Sequence, residues 1–127
     1  MTTVWTVAQV AAGGAIGAAA RYLAGVAVMR AAGPGFPWGT LAVNVAGSFL
    51  MGVLIVTLAH LGGTRFAPFL AVGVLGGFTT FSSFSLDAVT LYERGALGAA
   101  AGYVGGSVVL SLAGLVAGLA LARAVTA

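Results

Sequence analysis

Charge is the scarcest thing in this chain. Asp, Glu, Lys and Arg together make 6% of its 127 residues, and the acids are only Asp87 and Glu93. A soluble domain keeps its surface solvated with roughly 25–35% charged side chains, so the composition excludes one. Cysteine is absent, and with it any reading of redox compartment from thiols or disulfides. Basic clusters are lacking too. Arg21, Arg30, Arg65, Arg94 and Arg123 stand singly, which gives no nucleic-acid patch and reads as ordinary membrane-flanking charge. With no nucleophile–base pair and no metal-ligating cluster, an enzyme has nothing to rest on.

What the chain has in abundance is apolar length, with 61% hydrophobic residues and a mean hydropathy of +1.14. A bilayer core about 30 Å thick takes about 20 mainly apolar residues per helix. Four runs qualify: Val4–Met29, Gly39–Leu61, Phe66–Tyr92 and Ala96–Ala122. They leave only short connections, the first carrying Gly33, Pro34, Gly35 and Pro37. The first run lacks a basic flank and is too long for a signal-peptide core, so it reads as a retained helix. The expectation is a single all-α membrane domain of four transmembrane helices.

Four spans put Arg65 and Arg123 on one side of the membrane and Arg30 and Arg94 on the other. Counting Arg21 with the first loop makes three against two, opposed by the terminal amine. Orientation follows a Lys/Arg bias, and here that bias is close to nil. The balance predicts insertion in both orientations, which permits an antiparallel dual-topology homodimer. A weakly biased single orientation is the alternative.

The third run contains Gly76-Gly77-Phe78-Thr79-Thr80-Phe81-Ser82-Ser83-Phe84-Ser85. A lipid-facing helix gains nothing from paired glycines followed by a crowd of hydroxyls. The segment predicts a break in the third helix, inside protein, exposing backbone groups and hydroxyls to something other than lipid. Polar residues elsewhere align. Thr40, Asn44 and Ser48 share one face of the second helix, and Tyr103, Ser107 and Ser111 share one face of the fourth. Small-xxx-small pairs such as Gly13–Gly17, Gly73–Gly77, Gly98–Gly102, Gly102–Gly106 and Gly114–Gly118 predict close helix contacts.

Two donor ladders beside a broken helix point to a conduction path. Neither ladder has a carboxylate at midspan, where a cation pathway or proton relay would want one. Donors without acidic acceptors suit a small anion, and aromatic ring edges, such as those of Phe81 and Phe84, are electropositive. For Asn44, interhelical hydrogen bonding and function are both open readings. Arg21 either snorkels to the interface or lines an aqueous vestibule. Trp5, Trp38, His60 and Arg65 read as headgroup anchors.

These motifs resemble a known family. The third-run segment is similar to the third-helix signature of the Fluc (CrcB) fluoride channels. Gly39-Thr40-Leu41-Ala42-Val43-Asn44-Val45-Ala46-Gly47-Ser48-Phe49 resembles their second-helix signature, and Gly17-Ala18-Ala19-Ala20-Arg21-Tyr22 their first. The resemblance implies an antiparallel homodimer in a microbial cytoplasmic (inner) membrane, with two fluoride pores. It implies passive fluoride export that relieves fluoride toxicity. It also implies a structural Na+, not transported, on backbone carbonyls that map to Gly76 and Thr79. The fluoride pathway maps to Asn44, Thr80, Phe81, Phe84, Tyr103, Ser107 and Ser111, with Arg21 at the vestibule. Ser83 and Asp87 stand where threonine and glutamate are common in the family.

Two other classes compete. A small four-helix proton-coupled exporter would want a carboxylate deep in the first helix, and a fluoride/proton antiporter a central titratable group, for which Asp87 is the sole candidate. A protein that merely assembles partners would use the glycine seams but not the polar ladders.

Overall fold

The computed structural model describes residues 2–127 and is helical almost throughout. Helix α1 (Thr3–Ala32) starts where the Thr2 hydroxyl accepts from the Trp5 N–H at 3.2 Å, filling one of the unpaired donors of the first turn. It stops at Gly33, ahead of Pro34. Helix α2 (Trp38–Leu61) ends in left-handed Gly62, whose neighbour Gly63 donates back to Leu58 O at 2.8 Å. Glycine carries this cap because its φ of 69° strains any residue with a Cβ.

The third span, Thr64–Glu93, is not one helix. It opens with a 3-10 turn (Thr64–Phe66), widens into a π-helical stretch (Pro68–Leu75), and tightens into a single turn, α3 (Gly76–Phe78). Thr79 and Thr80 are then extended, and α4 (Phe81–Glu93) completes the crossing. Gly95 turns the chain into α5 (Leu97–Thr126). Four helical segments are thus long and apolar enough to cross a membrane, and the third is interrupted where the paired glycines and threonines stand. The π stretch is a feature that the sequence did not announce.

Packing is pairwise. Helix α1 lies along the first half of the third span, and α2 lies along α5. Glycine sets the first contact: Gly13 faces the backbone of Phe69 and Gly73, and Gly17 faces that of Val74 and Phe78. A Cβ at either position would land on those main-chain atoms, so only glycine permits the approach. Gly52 and Gly118 interlock α2 with α5 in the same way, against Leu115 O and Phe49 O. Gly98, Gly102, Gly105 and Gly106, by contrast, meet nothing within 4 Å. That seam is open.

A small aromatic core sits between α4, α5 and the first loop. Phe84, Leu91, Ala100 and Tyr103 form it, with Phe36 and Leu41 packed alongside. Most other large apolar side chains point outward, as expected of helices solvated by lipid rather than water.

Candidate functional site

The site is built on the break. In a continuous helix each N–H is given to the carbonyl four residues earlier, and Thr79 makes the last such bond, to Leu75 O at 3.1 Å. Beyond it the donors are diverted. The Thr80 N–H, which would serve Gly76 O, goes to Asn44 Oδ1 at 2.7 Å. The Ser83 N–H, which would serve Thr79 O, goes to the Thr80 hydroxyl at 3.2 Å, an N-cap for α4. Gly76 O and Thr79 O therefore each lose their normal helical donor. Gly77 O is treated differently, because it accepts from Arg21 Nε at 3.1 Å.

Asn44 stitches the break from α2. Besides accepting from Thr80 N–H, its Nδ2 donates to Thr80 O at 2.9 Å. A primary amide carries a donor and an acceptor on separate atoms, so it can serve a peptide N–H and a peptide carbonyl at once. One Nδ2–H remains uncommitted by these two bonds. Asn44 is thus an interhelical tie, the structural one of the two readings open from sequence, and it also lines the cavity beside the break.

Beside the break lies a cavity of about 420 Å³. Asn44, Ser48, Thr79 and Thr80 line one side, and Ser107 and Ser111 face them from α5. Phe81 and Phe84 line it too, their ring centroids 5.4 Å apart and their planes inclined at 50°. Phe84 is buried, whereas Phe81 is 77% exposed and stands proud of the chain. Ser107 is the most informative member. Its residue is 6% exposed, yet its hydroxyl has no partner among the described residues. Leaving such a group unpaired costs about 1–3 kcal/mol.

A second cavity of about 510 Å³ opens on the other side of the break, and Thr80 lines both. Arg21, Arg30, Thr40 and Ser83 contribute to it, and no carboxylate does. Two guanidinium groups without a countercharge make it attractive to anions. Arg21 therefore bonds the backbone of the break and lines this cavity.

The remaining sequence-derived residues fall outside both cavities. Gly76 lies on the backbone of the break. Tyr103, expected in one row with Ser107 and Ser111, is fully buried and lines neither cavity. Its hydroxyl donates to Asp87 Oδ2 at 3.1 Å, so its single proton is already engaged. Sequence reasoning had paired neither residue with the other. It also missed a continuous column of rings. Phe81, Phe84, Tyr103, Phe36 and Trp38 follow one another at centroid spacings of 5.4, 5.3, 5.4 and 4.6 Å. Among the described residues no cluster of three His, Asp or Glu could hold a metal; the hard oxygen donors at the break are backbone carbonyls.

Four apolar crossings, one of them broken between two cavities that each carry polar side chains, define a small multi-pass membrane protein. Residues 8–119 match the family model described as CrcB-like protein, Camphor Resistance (CrcB). The chain belongs to the CrcB family. Its relatives carry the name fluoride-specific ion channel FluC. One from Cereibacter sphaeroides is 70% identical over 115 residues, 91% of this chain and 92% of its own length. One from Ruegeria sp. is 61% identical over 121 residues, covering 94% and 96%. One from Caulobacter vibrioides is 55% identical over 121 residues, covering 93% and 95%. The family is one of ion channels and not of enzymes.

Proposed function

We infer that this chain forms a fluoride-selective channel, and that it exports fluoride passively from the cytoplasm across the inner membrane, lowering fluoride toxicity. The observation that carries the reading is the cavity at the break, where Asn44, Ser48, Thr80, Ser107 and Ser111 converge and the buried Ser107 hydroxyl has no partner among the described residues. The names of the relatives point the same way. Fluoride is small and accepts strong hydrogen bonds, so a row of hydroxyl and amide donors replaces its hydration without a fixed charge to trap it. The Arg21 vestibule concentrates the anion, and Thr80, common to both cavities, connects it to the Ser107–Ser111 row. The edges of Phe81 and Phe84 supply weak electropositive contacts between stronger donors.

The working unit in this reading is an antiparallel homodimer inserted in both orientations. Phe81, exposed beside the polar cavity, and the open Gly98–Gly102–Gly105 seam are surfaces that a second copy would cover. A structural Na+ would be held by Gly76 O and Thr79 O, two oxygens freed of their helical donors, from each of two copies. When bound, the ion supplies positive charge that eases the approach of an anion.

The test is efflux from liposomes holding the purified protein in sodium-containing buffer, followed with fluoride and chloride electrodes. Rapid fluoride loss with little chloride loss, driven by the fluoride gradient alone, is expected. No fluoride loss from verified dimers, or loss that requires an opposing proton gradient, overturns the channel.

A further inference from the structure

The first loop is more ordered than a connection needs to be. Phe36 leaves the surface and sets its ring edge-on against Tyr103, at 5.4 Å and 87°. Trp38 flanks it at 4.6 Å, and the Trp38 N–H donates to Phe36 O at 2.8 Å. From the third connection, at the same end of the molecule, Arg94 reaches across, its Nη2 donating to Gly35 O at 3.0 Å. The segment is bounded by Gly33 and Gly35, with φ of 85° and 109°, conformations open to glycine and strained for other residues. A chain that needs only to join two helices has no use for these contacts.

What the loop covers gives the contacts a purpose. A cavity of about 180 Å³ lies under Gly35, Phe36 and Pro37, and its inner wall includes Asp87. Asp87 accepts from Tyr103, and Tyr103 packs on Phe84 at 5.3 Å. Phe84 in turn lines the Ser107–Ser111 cavity. Tyr103, wholly buried, thus stands between an outer cavity and the polar cavity at the break, and Phe36 is the ring that holds it from outside.

We propose that Phe36 and Arg94 are positioning residues for anion passage: Arg94, through Gly35, seats Phe36 on Tyr103 and so keeps the outer end of the pathway narrow. The proposal rests on the channel reading. A seated Phe36 leaves the Tyr103 ring one packing arrangement, with its hydroxyl on Asp87. An unseated one joins the outer cavity to the polar one past a loosened phenol. The larger chloride ion would profit from that opening more than fluoride. Arg94 touches neither cavity at the break; it donates to a main-chain carbonyl of the loop and lines the outer cavity beside it.

The experiment combines flux with a direct report of the loop. In a Trp5→Phe background Trp38 is the sole tryptophan, and its quenching by acrylamide reads whether Phe36 is seated. Arg94→Gln loses an exposed hydrogen bond, which corresponds to roughly twofold to tenfold in loop release. Quenching is expected to rise, and chloride efflux to rise about twofold or more by the same measure, with fluoride efflux retained. Phe36→Ala is expected to exceed it in chloride leak, and Arg94→Lys, which keeps a donor, to restore much of the exclusion. Unchanged quenching in Arg94→Gln overturns the latch. Raised quenching with unchanged chloride exclusion in both Arg94→Gln and Phe36→Ala overturns the functional role. If the parent passes no fluoride, the channel reading fails on its own, while the quenching comparison still decides the latch.

Discussion

The two halves of the third span cross the same membrane on opposite plans. From Pro68 to Phe78 no side chain is polar, and the segment is fixed by backbone-to-backbone contact with Gly13, Gly14 and Gly17 of α1. From Phe81 to Glu93 the helix carries serines, Asp87 and Thr90, and it is fixed by rings and hydroxyl contacts to α5. The first half gives up side chains and gains position. The second uses side chains and needs the first to hold still. Between them Asn44 and Arg21 take up the peptide groups that the change of plan sets free.

The comparison breaks most severely at the scaffold. Gly17→Leu drives a side chain into Val74 O and Phe78 N, and overpacking against main chain costs upwards of about 3 kcal/mol. Loss of folded protein by size-exclusion chromatography is expected. Next comes the tie. Asn44→Ala strips partners from both Thr80 N–H and Thr80 O, about 1–3 kcal/mol for each buried group. Fluoride efflux is expected to fall at least about tenfold, since 1.4 kcal/mol is a factor of ten.

Smaller changes sharpen the contrast. Tyr103→Phe leaves Asp87 without its donor and keeps the ring, so a stability loss of about 1–3 kcal/mol should appear in detergent melts. Ser107→Ala separates the two plans most cleanly. Removing an unpaired buried hydroxyl should leave the melt unchanged or raise it by up to about 1 kcal/mol, while fluoride efflux falls. Gly102→Ala has open space around it and should leave the fold of the chain unchanged; a shift in its dimerisation would locate the second copy on that seam.

Much of this organisation was legible in the sequence, and the reasons are local. Apolar runs set the four crossings, Gly76 to Thr80 set the break, and the i, i+4 spacing put Asn44 and Ser48, then Ser107 and Ser111, on shared faces that do line one cavity. What could not be read depends on which distant residues meet. Arg21 and Gly77 O are 56 positions apart, and Arg94 and Gly35 O are 59. Tyr103 shares its helical face with Ser107, yet the ring of Phe84 packs against it and its hydroxyl donates to Asp87. Periodicity assigns a face and not a neighbour. The π widening from Pro68 to Leu75 has no compositional mark at all, since its residues would suit an α-helix equally well.

The account turns on the break being held open by Asn44 so that its freed groups and the Ser107 row can pass an anion. The most direct measurement is fluoride efflux from liposomes carrying Asn44→Ala, with dimer and secondary structure verified in the same preparation. An assembled protein whose fluoride efflux has dropped at least about tenfold is the predicted result. An assembled protein that passes fluoride at the parent rate would contradict it.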